Sequence, residues 1–282
     1  MRCANCGGEL AGAFCAQCGQ AARELRRPLR SLLIGAAEDL FGFDTRLGRT
    51  LWPLLLKPGS VTKEYLSGRR VAFVPPLRTY LLAALLFFGL FTVLPTQSPP
   101  VYVYTTGSPE AAQIKESSAH GSRVTIELPQ HVWFGDGEFQ EVSARARANP
   151  DAFALTVYRN VPRAFFLFLP IFALMLGLFY WKGLYIDHLV FSLYYHAFVF
   201  LDFAMLFLLG RASSWLPDLL ERPLRWVLVL WLVAYLPLAL RTAYGGSWLK
   251  TVLKVIGLGV LYLIGFVSMG FIFILSLALV TF

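Results

Sequence analysis

No cysteine follows residue 18 in this chain of 282 residues, and only four histidines occur in it. Confining every thiol to the first 18 residues leaves no material for a disulfide framework across the rest. No Walker loop, nucleophile elbow, His-Glu-x-x-His pair or glycine-rich dinucleotide turn is present, so these common catalytic and nucleotide-binding signatures are excluded. Internal repeats and low-complexity tracts are also missing. Residues 1–20 lack the apolar core of a signal peptide, which predicts that the cysteines begin in the reducing cytosol, where disulfides are rare.

What the chain has in abundance is apolar surface. Hydrophobic residues make up 57% of it and its mean hydropathy is +0.59, high for a soluble globule. Runs of 18 or more mostly apolar residues can cross about 30 Å of hydrocarbon as helices. Five spanning candidates of about this length are predicted: Thr79 to Leu94 (short but extendable to Leu77), Ala164 to Trp181, His188 to Leu209, Leu224 to Leu240, and Val252 to Phe282. The last would be about 46 Å long as a helix, so its start lies in the interface or the helix tilts. The expected fold class is an α-helical polytopic membrane protein of about five transmembrane helices. A small N-terminal zinc ribbon and a short α+β external insert complete it.

The expected organisation is a zinc ribbon at 1–20, juxtamembrane amphipathic helices at 21–78, a first transmembrane helix at 79–95, an external segment at 96–163, and a bundle of about four helices at 164–282. Two pieces of the juxtamembrane region are amphipathic and too polar to span, Leu29 to Phe43 and Leu47 to Leu56. The second stops at Lys57-Pro58-Gly59. They either lie in the interface plane or pack on the bundle. In the external segment, Val101 to Tyr104 and Arg123 to Leu128 read as short strands, His131 to Gly137 as a loop, and Glu138 to Arg163 as a mostly helical lead-in.

The net charge of +8 admits nucleic acid, anionic lipid or topology as its cause, and the placement of the charges favours topology. Residues 1–78 hold twelve Lys and Arg, and none follows the first run until Lys115. The positive-inside rule then predicts a cytoplasmic N-terminus. The connection holding Arg211, Arg222 and Arg225 falls outside on this count and fits it least well.

Cys3-x-x-Cys6-Gly7 and Cys15-x-x-Cys18-Gly19 form a matched pair of turns. Four thiolates are the number and softness that tetrahedral zinc takes, and they leave no open position, so a structural Zn2+ site is expected. A glycine after each pair permits a tight turn whose N–H groups face the sulfur. A redox dithiol pair and an iron centre are the competing readings. No basic recognition helix adjoins the knuckle, so nucleic acid is not an expected partner; a cytoplasmic protein is.

The third run carries ionisable groups. His188, Ser192, Tyr195, His196 and Asp202 recur on one side of a helix, and a carboxylate at such depth costs roughly 2.5–3.5 kcal/mol. His188, Tyr195, His196 and Asp202 are therefore a candidate polar site inside the membrane, with plain helix–helix hydrogen bonding as the alternative. Ahead of the first run, Arg69, Arg70 and Arg78 are candidate contacts for anionic lipid headgroups, or else charges that set topology.

Several blocks together resemble a family of uncharacterised bacterial inner-membrane proteins, a domain of unknown function with an N-terminal zinc ribbon. They are the twin Cys-x-x-Cys-Gly opening, Lys57-Pro58-Gly59, Tyr65-Leu66-Ser67-Gly68-Arg69-Arg70, Val74-Pro75-Pro76-Leu77-Arg78-Thr79-Tyr80-Leu81, and Leu169-Pro170-Ile171-Phe172-Ala173-Leu174. His188 through Phe198 and Leu240-Arg241-Thr242-Ala243-Tyr244-Gly245 complete the set. Where relatives often carry a third histidine this chain has Tyr194, which weakens a metal-site reading of the third run. The resemblance implies the inner-membrane architecture and brings no activity with it. The expectation is a non-enzymatic carrier or membrane-assembly factor acting in the lipid bilayer on lipid-linked or amphipathic cargo. The alternatives are an intramembrane lipid-modifying enzyme using His196 and Asp202, and a membrane-tethered sensor whose output is the zinc ribbon. Association with a second copy stays open.

Overall fold

The computed structural model describes residues 2–10, 12–21, 46–94, 101–105, 124–128, 148, 150–212 and 215–281. The amphipathic stretch Leu29 to Phe43, the loop His131 to Gly137 and the first part of the helical lead-in lie outside the described residues. The elements run α1 (Leu47–Leu56), α2 (Ser60–Leu66), α3 (Pro76–Val93), β1 (Val101–Thr105), β2 (Val124–Leu128), α4 (Pro150–Phe179), α5 (Tyr185–Arg211), α6 (Asp218–Tyr244) and α7 (Trp248–Thr281). The chain divides into two compact units, one of Met1–Val93 with Leu169–Tyr262, the other of Leu94–Phe168 with Leu263–Phe282.

Among the described residues, α5, α6 and the Trp248–Gly265 part of α7 are long and apolar enough to cross a membrane. Pro76–Leu90 and Phe165–Phe179, inside α3 and α4, are shorter apolar helices. Of the five spans expected, three thus meet the length and composition of a span among the described residues. Helix α4 starts at Pro150, where a proline costs nothing because the first helical N–H has no partner anyway.

The first unit is built around α5. Phe191, Tyr194, Phe198 and Phe200 on it are almost wholly buried. Helix α3 packs along it through Tyr80 and Phe87, whose rings lie 5.6 and 5.5 Å from Phe200. Helix α6 packs through Tyr235, whose ring stacks on Phe198. At the α5 start, the Leu184 N–H donates to the Asp187 carboxylate at 3.1 Å, reaching back from the first turn to cap it. Helix α6 opens with Asp218 and Glu221, which suit the positive end of its dipole. Each is answered four residues on, Asp218 by Arg222 at 3.1 Å and Glu221 by Arg225. Two of the arginines that fit the charge count least are therefore locally neutralised.

A second helix that the sequence reading did not separate, α2, follows α1 at once. The turn between them needs Gly59: its φ is +74°, and a Cβ there would lie 2.8 Å from the Cα of Ala239. The α1–α2 hairpin is therefore pressed backbone to backbone against α6. In the second unit, β1 and β2 pair in parallel, Val101 opposite Val124 through Thr105 opposite Leu128.

Candidate functional site

The cysteine module is made of two copies of one small loop. In the first, Cys3 N–H donates to Gly8 O and Gly7 N–H to Cys3 O, both at 2.8 Å. In the second, Cys15 N–H donates to Gln20 O at 2.7 Å and Gly19 N–H to Cys15 O at 2.9 Å. Gly7 and Gly19 take φ of +77° and +72°, values that side chains resist, which accounts for the glycine after each cysteine pair. Single antiparallel bridges, Arg2 to Glu9 and Phe14 to Ala21, close the loops.

These turns bring the four sulfurs within 4.8 Å of one another. Cys3 and Cys18 sulfurs lie 3.6 Å apart, Cys6 and Cys15 sulfurs 3.5 Å. A tetrahedron with metal–sulfur bonds near 2.3 Å has edges of about 3.8 Å, so the set fits one ion with little adjustment. Backbone N–H groups of Cys18 and Gln17 hold the Cys15 thiol below its ordinary value, and that of Gln20 does the same for Cys18. At Cys6 the Gly8 N–H pulls downward, but the crowding sulfurs, Cys15 foremost, outweigh it and push the thiol up to about 12. Among the described residues no basic side chain is bonded to these four thiols, and a divalent cation at their centre would supply the missing charge. Cys3, Cys6, Cys15 and Cys18 can hold a metal ion.

The module is docked on the hairpin. Gln20 Nε2 donates to Gly68 O at 2.8 Å, and Gln20 Oε1 accepts from Arg70 N–H at 3.4 Å. Gly68 has φ of +101°, and a Cβ there would come within 2.9 Å of the Ala4 Cβ. From that contact a chain of bonds runs inward. Arg70 Nε donates to Tyr65 O at 3.3 Å, and its guanidinium lies 5.3 Å from the centre of the Tyr65 ring. Tyr65 meets Tyr194 edge to face at 5.8 Å, and Tyr194 Oη donates to Val74 O at 2.7 Å. The N–H of Val74 donates to Thr50 Oγ1 at 2.9 Å, so both backbone groups of this fully buried residue are satisfied by side chains. Tyr194 thus ties α5 to the start of α3.

Of the three arginines singled out for headgroups, each has an internal engagement. Arg69 pairs with Glu64 at 2.9 Å, Arg70 holds Tyr65, and Arg78 is buried at 4% exposure. The candidate polar residues of α5 fall at separate places. His188 Nδ1 bonds to Tyr244 Oη at 2.9 Å, and Tyr244 stacks on Tyr180 at 4.3 Å. Lys254 Nζ donates to Phe179 O at 2.6 Å and sits 3.8 Å over the Tyr180 ring. His188 is therefore part of a clasp joining the ends of α4, α5, α6 and α7. Gly183 is needed above it, since a Cβ there would lie 2.8 Å from the imidazole Cε1.

His196 Nδ1 donates to Ser192 O at 2.8 Å, one turn back on its own helix, and Phe172, Tyr195 and Tyr262 surround the ring. Its Nε2 is buried with no hydrogen bond among the described residues. Tyr195 is half-buried and stacks on Phe172. Asp202 is wholly buried, and neither of its oxygens has a hydrogen-bond partner among the described residues. No hydrogen bond joins His196 to Asp202.

Sequence reasoning missed Gln20, Thr50, Trp231, Tyr235 and Tyr244. For the two tyrosines a signal existed, because a phenol inside an apolar helix needs an acceptor. Tyr235 Oη donates to Leu54 O at 2.7 Å, and Trp231 Nε1 to Leu55 O at 2.8 Å. Gln20 carries no such mark, being an ordinary polar residue in a short polar loop.

No curated protein and no solved structure matches the chain. A family described as "Protein of unknown function (DUF3667)" matches residues 44–88, which takes in α1, α2 and most of α3.

Proposed function

We propose that this chain is a multi-pass protein of the bacterial inner membrane, with about five transmembrane helices and a cytoplasmic N-terminus. It acts as a non-enzymatic carrier or membrane-assembly factor for lipid-linked or amphipathic cargo. A structural Zn2+ on Cys3, Cys6, Cys15 and Cys18 holds the N-terminal knuckle, a ribbon too small to fold without one. The ion's part is to tie the four thiolates together; docking on the hairpin is the work of Gln20 and Ala4.

The observation that carries the reading is Asp202. A carboxylate at the centre of a span costs roughly 2.5–3.5 kcal/mol on insertion scales. A residue that merely glued helices would recover part of that through a donor. Asp202 has none among the described residues while sitting in the best-packed helix. A side chain so costly and so unoccupied suits a step that needs a polar group at depth. His196, whose Nε2 is also without a hydrogen bond among the described residues, offers a further polar group on the same helix. An enzyme built on this pair would need the carboxylate to orient the imidazole, whereas His196 Nδ1 is held by Ser192 O instead.

The test is complementation of a strain lacking the chain, read as envelope lipid and membrane-protein profiles. Asp202→Asn at normal protein level is expected to fail to rescue. Full rescue would remove Asp202 from the function. Disappearance of one lipid product, with its precursor accumulating in His196→Ala, would favour the enzyme instead. The sensor reading has its own support in the Gln20 bonds to Gly68 and Arg70. It expects deletion of residues 1–20 to abolish signalling while insertion persists.

A further inference from the structure

Between Arg46 and Arg78 the chain holds seven basic residues and a single acid, Glu64. Four of the seven are engaged or buried: Arg46 donates to Val71 O at 3.3 Å, Arg69 pairs with Glu64, Arg70 holds Tyr65, and Arg78 is buried. The three left over are Arg49, Lys57 and Lys63. All are exposed, and none of their side chains makes a hydrogen bond or ion pair among the described residues.

All three lie on the α1–α2 hairpin, which also exposes two large apolar side chains of α1. Arg49, Trp52 and Leu56 recur at i, i+3 and i+7, one stripe of α1 opposite the buried Thr50 and Leu54. Trp52 is 67% exposed and Leu56 49%. The inner side of α1 shows how deep this stripe lies. The last-turn carbonyls of Leu54 and Leu55 take their bonds from Tyr235 and Trp231. Those residues stand in the middle of the uncharged run of α6 between Arg225 and Arg241. Helix ends in water can be hydrated; in hydrocarbon they need protein donors, and here they have them. Trp52 and Leu56 are thus level with acyl chains, and long basic side chains beside them can reach outward to the phosphate plane.

We propose that the exposed surface of the α1–α2 hairpin, with Arg49, Lys57 and Lys63 flanking Trp52 and Leu56 in the chain, is a binding surface for an anionic phospholipid of the adjoining leaflet. The charges recognise the phosphodiester and the indole packs on the acyl chains. The inference rests on the membrane reading above.

The full chain, reconstituted in phosphatidylcholine vesicles containing brominated phosphatidylglycerol or brominated phosphatidylcholine, provides the test. The Trp52 signal is the difference between the wild type and Trp52→Phe. Phosphatidylglycerol is expected to quench it with a relative association constant about fivefold or more above phosphatidylcholine, the factor one basic side chain brings at an anionic surface. In Arg49→Gln/Lys57→Gln/Lys63→Gln that ratio should fall to near unity, while quenching of the other tryptophans stays as in the wild type. A wild-type ratio near unity, or a ratio unchanged in the triple variant, overturns the proposal. So does a Trp52 that neither lipid quenches while other tryptophans are quenched. If no tryptophan is quenched by either lipid, the membrane reading itself falls.

Discussion

Gln20 reaches across to Gly68 and closes the cysteine module onto the turn after α2, donating at 2.8 Å from Nε2 while Oε1 accepts from the next-but-one residue. One side chain therefore makes both docking bonds, and its loss should separate docking from metal binding. Gln20→Ala removes no sulfur and none of the loop's own backbone bonds. We expect it to keep its metal and to cost about 1–3 kcal/mol of docking, two hydrogen bonds at about 0.5–1.5 each. Hydrogen exchange at residues 67–72 should speed up severalfold while that at 3–8 is unchanged. Equal loosening at both places would mean that the module and the turn are one unit.

Gly68→Ala should act at the same contact from the other side. A residue with a Cβ resists φ of +101°, and the new methyl would press on Ala4. A cost of about 1–3 kcal/mol is expected from the backbone strain alone. Exchange at 67–72 should again rise, and Gln20→Ala/Gly68→Ala should be barely worse than Gly68→Ala by itself. Full additivity would place the two effects at different sites.

Removal of the metal tests the thiol set. The purified chain should carry one ion, and cobalt substitution should give the strong thiolate-to-metal absorption of a four-sulfur site. Cys6→Ser and Cys15→Ser should each weaken retention against a chelator by a large factor, since each leaves only three sulfurs. A chain with no metal and two disulfides would favour the redox reading.

The sequence was most legible where period and punctuation coincide. Helix α1 runs from Leu47 to Leu56 and stops at Lys57, where the Lys57-Pro58-Gly59 turn was read as its end. Helices α5 and α6 extend only a few residues beyond their apolar runs at either end. The cysteine spacing brought the four sulfurs together as expected. What stayed hidden was which polar groups meet. His188, His196 and Asp202 share a side of one helix, yet His188 is answered from another element, His196 from its own helix, and Asp202 by no hydrogen bond among the described residues. His188 is answered by Tyr244, 56 residues away, and a single-helix projection holds no information about that neighbour. The arginines show the same limit: the sequence shows a basic cluster, but only packing reveals that Arg69 faces Glu64 and that Arg78 is inside.

Tyr235 and Trp231 offer a test of how dry the end of α1 is. Tyr235→Phe keeps the ring stack on Phe198 and deletes the hydroxyl that donates to Leu54 O and faces the Gly59 N–H. At a hydrated helix end water would replace the hydroxyl and little would change. In hydrocarbon the carbonyl stays bare, at a cost of about 1–3 kcal/mol. We expect Tyr235→Phe to lower the midpoint of thermal unfolding by several degrees in lipid nanodiscs. A change smaller than one degree would mean that water reaches Leu54 and that the hairpin sits at the surface.

The last expectation separates the two kinds of polar residue in α5. If His188 and Tyr244 form a clasp, their single variants His188→Ala and Tyr244→Phe should be strongly non-additive. Hydrogen bonds between membrane helices average about 0.6 kcal/mol, so a coupling of that order is expected in a double-mutant cycle on unfolding. Asp202 should behave in the opposite way. It makes no hydrogen bond among the described residues, so Asp202→Asn has no bond to lose and should leave unfolding within about 0.5 kcal/mol of the wild type. Asp202→Leu, which removes a costly polar group from the span, should be neutral or stabilising by up to roughly 2.5–3.5 kcal/mol. Complementation should divide the same variants the other way: His188→Ala expressed at normal level should work, and both Asp202 variants should not. A destabilised Asp202→Asn would reveal a structural bond at that position and return Asp202 to the role of helix glue.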